Sequence, residues 1–176
     1  GHFDHDFIIT GSSGTKGAVR ELLGSYVEEI VRKSDVPVIV VKEDEVAFPF
    51  KNIVFVSDFE EDVSQAFKHV ISIAKKCNAH IHLLRVNTKT DTNSIQAGLK
   101  PIQTFVEKFP GLKHYSMFVN NEPSVEVGIN TFLTYEPADL IAMFTHGKTG
   151  FLNLFSKSIA EGVANHSTLP VMTIRI

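Results

Sequence analysis

Apolar and polar positions follow two rhythms along this chain. Short, mostly apolar segments suited to buried strands lie at Phe7-Ile8-Ile9-Thr10 and at residues 36–41, 53–56, 81–86, 113–119, 139–144 and 170–174. Between them, apolar residues return at three- and four-residue steps, the period of a helix with one buried face. Val19, Leu22, Leu23, Tyr26, Val27 and Ile30 form the first such set, and Val63, Ala66, Phe67, Val70 and Ala74 the second. Leu99, Ile102, Phe105, Val106 and Phe109 form the third, and Val125, Ile129, Phe132 and Leu133 the fourth. A fifth helix is expected over residues 151–164. Pro110-Gly111 and Pro137 stop two of these helices, and Pro123-Ser124 opens one. Strands alternating with helices argue an open, mostly parallel sheet covered on both faces.

The end of the chain repeats its beginning. A shift of 133 positions without a gap pairs Asp6 with Asp139, Ile8 with Ile141, Gly14 with Gly147, Ser25 with Ser158, Pro37 with Pro170 and Val38 with Val171. That offset is a domain length. Residues 1–42 therefore read as the closing strand, helix and strand of a first copy, residues 43–50 as a linker, and residues 51–176 as a complete second copy. The chain is expected to begin mid-domain, with the first copy's opening strand about 80 residues before Gly1.

One stretch carries chemistry. The Phe7-Ile8-Ile9-Thr10 strand breaks at Gly11-Ser12-Ser13-Gly14, and nine residues later come Gly24-Ser25. Glycines let the backbone approach a ligand closely, and the free N–H groups of a following helix favour an anion. Phosphate is the favoured guest, against the plainer reading that Gly11 and Gly14 only allow a close strand–helix contact. Ser12, Ser13 and Thr15 add hydroxyl donors, although small polar residues are also ordinary turn formers.

Gly11-x-x-Gly14-x9-Gly24-Ser25, set between two apolar strands, resembles the nucleotide loop of the universal stress protein family. With the repeat, the resemblance covers nearly the whole chain apart from the linker, as the C-terminal portion of a tandem member. It implies a five-stranded sheet of the adenine nucleotide alpha hydrolase-like kind in residues 51–176, in the order 3-2-1-4-5, preceded by the partial copy. It also implies a cytoplasmic regulatory protein of the stress response that binds ATP in the first copy and at most hydrolyses it slowly. In the second copy, Asp58 matches the family's aspartate beside adenosine, and Gly147 and Ser158 keep half of the loop pattern. Asp58 also reads as a turn or helix-cap aspartate. Phe144 and Lys157 replace the other two positions, and a Cβ where φ must be positive costs about 1–2 kcal/mol. The second copy is thus expected to be degenerate, and the first to lack the strand and aspartate that hold adenosine. The last strand is a sheet edge in the family, so residues 36–41 and 170–174 are expected to pair with another chain or copy. Two alternatives stand beside this: a pairing module without a ligand, and an ATP-dependent α/β enzyme. The latter lacks support, because Ser57-Asp58-Phe59-Glu60 is no glycine-rich phosphate loop.

Composition removes other classes. A net charge of -3 with interspersed signs gives no basic stripe for nucleic acid. No apolar run approaches the roughly 20 residues that span a bilayer. The single Cys77 allows no internal disulfide and reads as structural, in a reducing compartment. His2 with His5, and His80 with His82, have metal-compatible spacing without further ligands nearby, so surface or tag histidines are the preferred account. His146 lies at the expected ligand edge of the sheet, but no serine with a general base accompanies it.

Overall fold

In a computed structural model of the chain, which describes residues 6–11, 25–41, 47–88, 94–145 and 169–176, the strand-like segments become seven strands of one sheet. The strands are β1 (Ile8–Gly11), β2 (Val38–Val41), β3 (Asn52–Val56), β4 (His80–Asn87), β5 (Tyr115–Asn121), β6 (Leu140–Thr145) and β7 (Val171–Arg175). Between them lie α1 (Ser25–Lys33), α2 (Ser64–Cys77), α3 (Ile95–Glu107) and α4 (Val125–Tyr135). The helix expected over residues 151–164 lies outside the described residues.

The order across the sheet is β1-β2-β7-β6-β3-β4-β5. Strands β3 to β7 reproduce the expected 3-2-1-4-5 order, all parallel. The expectation of five strands is corrected to seven. β7 would otherwise be an edge, and β2 of the same chain adds to it antiparallel, with Val38 opposite Thr173, Ile39 opposite Met172 and Val40 opposite Val171. The buried Thr173 hydroxyl donates to the Val38 carbonyl at 3.3 Å, and β1 extends the sheet parallel to β2.

Side-chain alternation sends the two faces of each strand into different helices. Ile53, Phe55, Ile81 and Leu83 join α2 and α3 in the larger core, where the rings of Phe55, Phe67, Phe105 and Phe109 meet at centroid distances from 5.0 to 6.5 Å. On the opposite face Val54, Val56, Leu84 and Val86 meet Ile129 and Phe132 of α4. Val27 and Val31 of α1 cover Val38 and Val40 of β2. Full burial of such side chains is worth about 1.5–3 kcal/mol each, which is why these runs form strands despite flanking charge. Phe50, at the end of the expected linker, is buried in the larger core, so ordered packing starts before residue 51.

Pro123-Ser124 does open α4: the Ser124 hydroxyl accepts the Val127 N–H at 3.3 Å, and Ser94 caps α3 in the same way through the Ala97 N–H at 3.2 Å. Among the described residues no helix is long and apolar enough to cross a membrane.

Candidate functional site at the carboxyl edge of the sheet

Parallel sheets bind ligands beyond the carboxyl ends of their strands, where strand order reverses. Here that place lies between β3 and β6. β3 ends at Val56 and the chain turns through Ser57-Asp58-Phe59-Glu60. Two side chains make the turn: Ser57 Oγ accepts the Phe59 N–H at 2.9 Å, and Asp58 Oδ1 accepts the Glu60 N–H at 3.0 Å. Phe59 takes φ 59°, and its buried ring lies 6.0 Å from Phe55 and 5.3 Å from Phe105. Asp58 is exposed, and its Oδ2 has no partner among the described residues. It is a turn aspartate with an oxygen to spare.

Beneath this turn lies a residue that the pattern reading passed over. Arg85, near the end of β4, is 3% exposed. Its Nε donates to Asn87 Oδ1 at 3.0 Å, Nη2 to Glu60 Oε1 at 2.7 Å, and Nη1 to the Asp58 carbonyl. Asn87, also buried, donates onward to Asn121 Oδ1 at 2.9 Å. The signal in the sequence was a single arginine inside the apolar run Leu83-Leu84-Arg85-Val86.

Gly11 stands elsewhere. β1 runs parallel to β2, β2 antiparallel to β7, and β7 parallel to β6, so β1 ends where β3 to β6 begin. Gly11 and Asp58 therefore lie at opposite ends of the sheet, with β2, β7 and β6 between their strands, roughly 19 Å of sheet at about 4.8 Å per step. The chain does not bring these two candidates together. Ser25 opens α1; Ser12, Ser13, Gly14, Gly24, Gly147 and Ser158 lie outside the described residues, as do His2, His5, His146 and Lys157.

Phe144 does not carry the backbone strain expected of it. Among described residues other than glycine only Phe59 and Asn78 have positive φ, whereas Phe144 lies in β6 opposite Ile174 with its buried side chain in the larger core. Gly11, its equivalent, is likewise strand, and a Cβ added there meets nothing within 4 Å. No backbone strain follows from phenylalanine at this position.

Repeat-equivalent residues differ in surroundings. Ala142 is fully buried between β3 and β7, while Ile9 of β1, its equivalent, is 62% exposed. Asp139 Oδ2 accepts the backbone N–H groups of Lys51 and Asn52 at 2.6 and 2.8 Å. Asp6, with no such strand beside it among the described residues, pairs with Lys76 at 2.7 Å, which holds its carboxyl below the ordinary value. The outer edge of β1 thus offers the surroundings that β3 occupies beside β6.

The histidine pair is no surface feature. His82 is buried between the rings of Phe118 and Phe132, 4.9 Å from the His80 ring; its Nε2 faces Asn52 Oδ1 at 3.4 Å, and Nδ1 has no partner among the described residues. Burial, and then the neighbouring His80, push its pKa below the ordinary value, against a smaller upward pull from Glu136. No group of three metal-binding side chains occurs among the described residues. Cys77 is a free, buried thiol at the end of α2.

Sequence and fold comparisons agree with this architecture. The profile of the universal stress protein family matches residues 2–42 and 119–175, together more than half of the chain. A universal stress protein of Methanocaldococcus jannaschii is 27% identical over 143 residues, covering 72% of this chain and 82% of that protein. The crystal structure of a universal stress protein from Archaeoglobus fulgidus superposes with a TM-score of 0.73 at 23% identity, covering 97% of this chain and 62% of that one. The chain thus spans less than two thirds of that protein's length. A crystal structure of a universal stress protein in complex with cAMP matches 71% of this chain and 97% of its own, with a TM-score of 0.53 at 16% identity.

Proposed function

The chain belongs to the universal stress protein family, and from that membership we propose a regulatory stress-response protein that holds ATP through the Gly11-x-x-Gly14-x9-Gly24-Ser25 stretch without rapid turnover. The observation that carries this reading is the position of Gly11, last residue of β1 and so at a carboxyl edge, with α1 following. A glycine turn into a helix N-terminus suits the phosphates. The cAMP complex of a fold relative supports an adenine nucleotide as the class of guest.

The adenosine side requires a neighbouring strand. Among the described residues β1 has no strand on its outer edge, with Ile9 exposed and Asp6 turned to Lys76, and a β3-like strand there would bring an aspartate equivalent to Asp58 beside the glycine stretch. That strand comes either from a preceding segment of a longer chain or from a second molecule. The chain on its own then holds phosphates without holding adenosine, and binds ATP weakly.

The test is the nucleotide content of purified protein, read as released small-molecule mass, for this chain and for a longer one carrying the preceding segment. Stoichiometric adenine nucleotide in the longer protein, with no ADP accumulating over hours, is expected. A longer protein that carries none would sink the reading. It would favour instead the pairing module without a ligand, for which the β2–β7 ladder is the supporting feature.

A further inference from the structure

Arg85 is a buried cation whose one carboxylate partner among the described residues is a surface side chain. Its own side chain is 3% exposed, whereas that of Glu60 is 62% exposed. A guanidinium carries five N–H donors, and three bonds are made, to Asn87, Glu60 and the Asp58 carbonyl. Among the described residues the other two donors have no partner. A charge taken out of water needs full pairing, and a single solvated carboxylate leaves this one under-compensated. The surroundings are fixed: Asn87 is locked by Asn121, and the turn over Arg85 by Ser57 and Asp58. Only Glu60 is free to leave. The Ser57 N–H bonds the Leu84 carbonyl at 3.1 Å, which sets Arg85 level with the end of β3, at the edge where such sheets take their ligands.

We propose that Arg85, with Asn87 and the turn at residues 57–60, forms an oxyanion subsite in which the Glu60 carboxylate is a resident stand-in, displaced by the phosphate or carboxylate group of a small ligand. Phosphate fits best, because its three acceptor oxygens can take the Glu60 bond and the two spare N–H groups together, in the fork geometry arginine offers. Arg85 is then a binding residue and Glu60 a competitor tethered to the same chain. The subsite is independent of the ATP reading, since Gly11 lies at the other end of the sheet.

The experiment is a titration of the full chain with inorganic phosphate at constant ionic strength, following the Arg85 Nε–H signal by NMR, with parallel titrations by acetate and chloride. The signal is local, so phosphate held beside Gly11, at the other end of the sheet, does not move it. The wild type should show a weak, saturable shift with phosphate, smaller with acetate and absent with chloride. Glu60→Gln should tighten phosphate binding at least ten-fold. In Glu60→Gln/Arg85→Lys, which keeps the charge and loses the fork, the extra phosphate protection against thermal unfolding that Glu60→Gln gains over the wild type should vanish. Tighter acetate than phosphate binding in Glu60→Gln would keep the subsite and make its ligand a carboxylate. No tightening in Glu60→Gln, or phosphate protection unchanged by the added Arg85→Lys, overturns the proposal and leaves the Arg85–Glu60 contact a structural ion pair. The wild-type titration needs no variant to fold, and an Arg85 signal that does not respond to phosphate overturns the proposal by itself.

Discussion

Ile39 lies directly opposite Met172 in the antiparallel β2–β7 ladder, and the two are equivalents under the 133-residue repeat. The flanking pairs, Val38 with Thr173 and Val40 with Val171, exchange places under the same shift. The ladder therefore has a local two-fold axis at Ile39–Met172. This is the register in which two like strands pair, each presenting the same edge to the other. Both side chains are buried in the larger core.

This relationship has an energetic consequence. Ile39→Ala and Met172→Ala should each cost about 2–5 kcal/mol in urea unfolding, as buried truncations do. Because the residues touch, the double variant should lose less than the sum by roughly 0.5 kcal/mol or more. Additive losses would contradict direct pairing.

Stability should fall with acid through His82. Burial and His80 lower its folded pKa, so below the ordinary value of 6.5 the unfolded chain binds a proton that the folded chain refuses. The contribution is fully present above that value and is lost as the pH falls toward the lowered one. The other groups facing His82 are His80 on the same strand and Glu136 beyond α4, whose charge opposes the shift. Denaturation midpoints between pH 7.5 and 5 should decline in the wild type and decline less in His82→Phe, where a third ring joins Phe118 and Phe132. Equal slopes would remove His82 as the cause.

Two glycines should respond differently to the same methyl group. A Cβ at Gly128 of α4 would lie 2.5 Å from both Val86 methyls, whereas one at Gly11 meets nothing within 4 Å among the described residues. Gly128→Ala should cost about 1–3 kcal/mol, and Gly11→Ala should leave thermal stability nearly unchanged. A destabilised Gly11→Ala would mean that β1 is more closely covered than it is here.

Much of the fold was legible because period and burial agree: the apolar runs at 53–56 and 81–86 can only be covered by helices on both faces, and α2 and α4 show their buried stripes openly. What pattern could not give was the identity of a strand's neighbour. The resemblance implied that residues 36–41 and 170–174 pair with another chain or copy, and the ladder joins the two strands to each other within one chain. Arg85 escaped because a lone charge in an apolar run reads as noise until Asn87, Glu60 and the Asp58 carbonyl converge on it from different parts of the chain. His82 escaped for the same reason: only the fold puts Phe118 and Phe132 around it. Phe144 carries no strain because its position in the pattern is strand in both copies, and a glycine spacing does not state whether its first position needs a positive φ.

The most direct measurement of the central claim is calorimetric titration with ATP of three proteins: this chain, a longer chain carrying the preceding segment, and the longer chain with Gly14→Val. The present chain should bind weakly or not at all, the longer chain with one site, and the Gly14→Val variant at least about ten-fold more weakly, a loss of roughly 1.4 kcal/mol. Tight binding by the present chain as a monomer, or undiminished binding by the longer Gly14→Val variant, would contradict the assignment of ATP to the loop after β1.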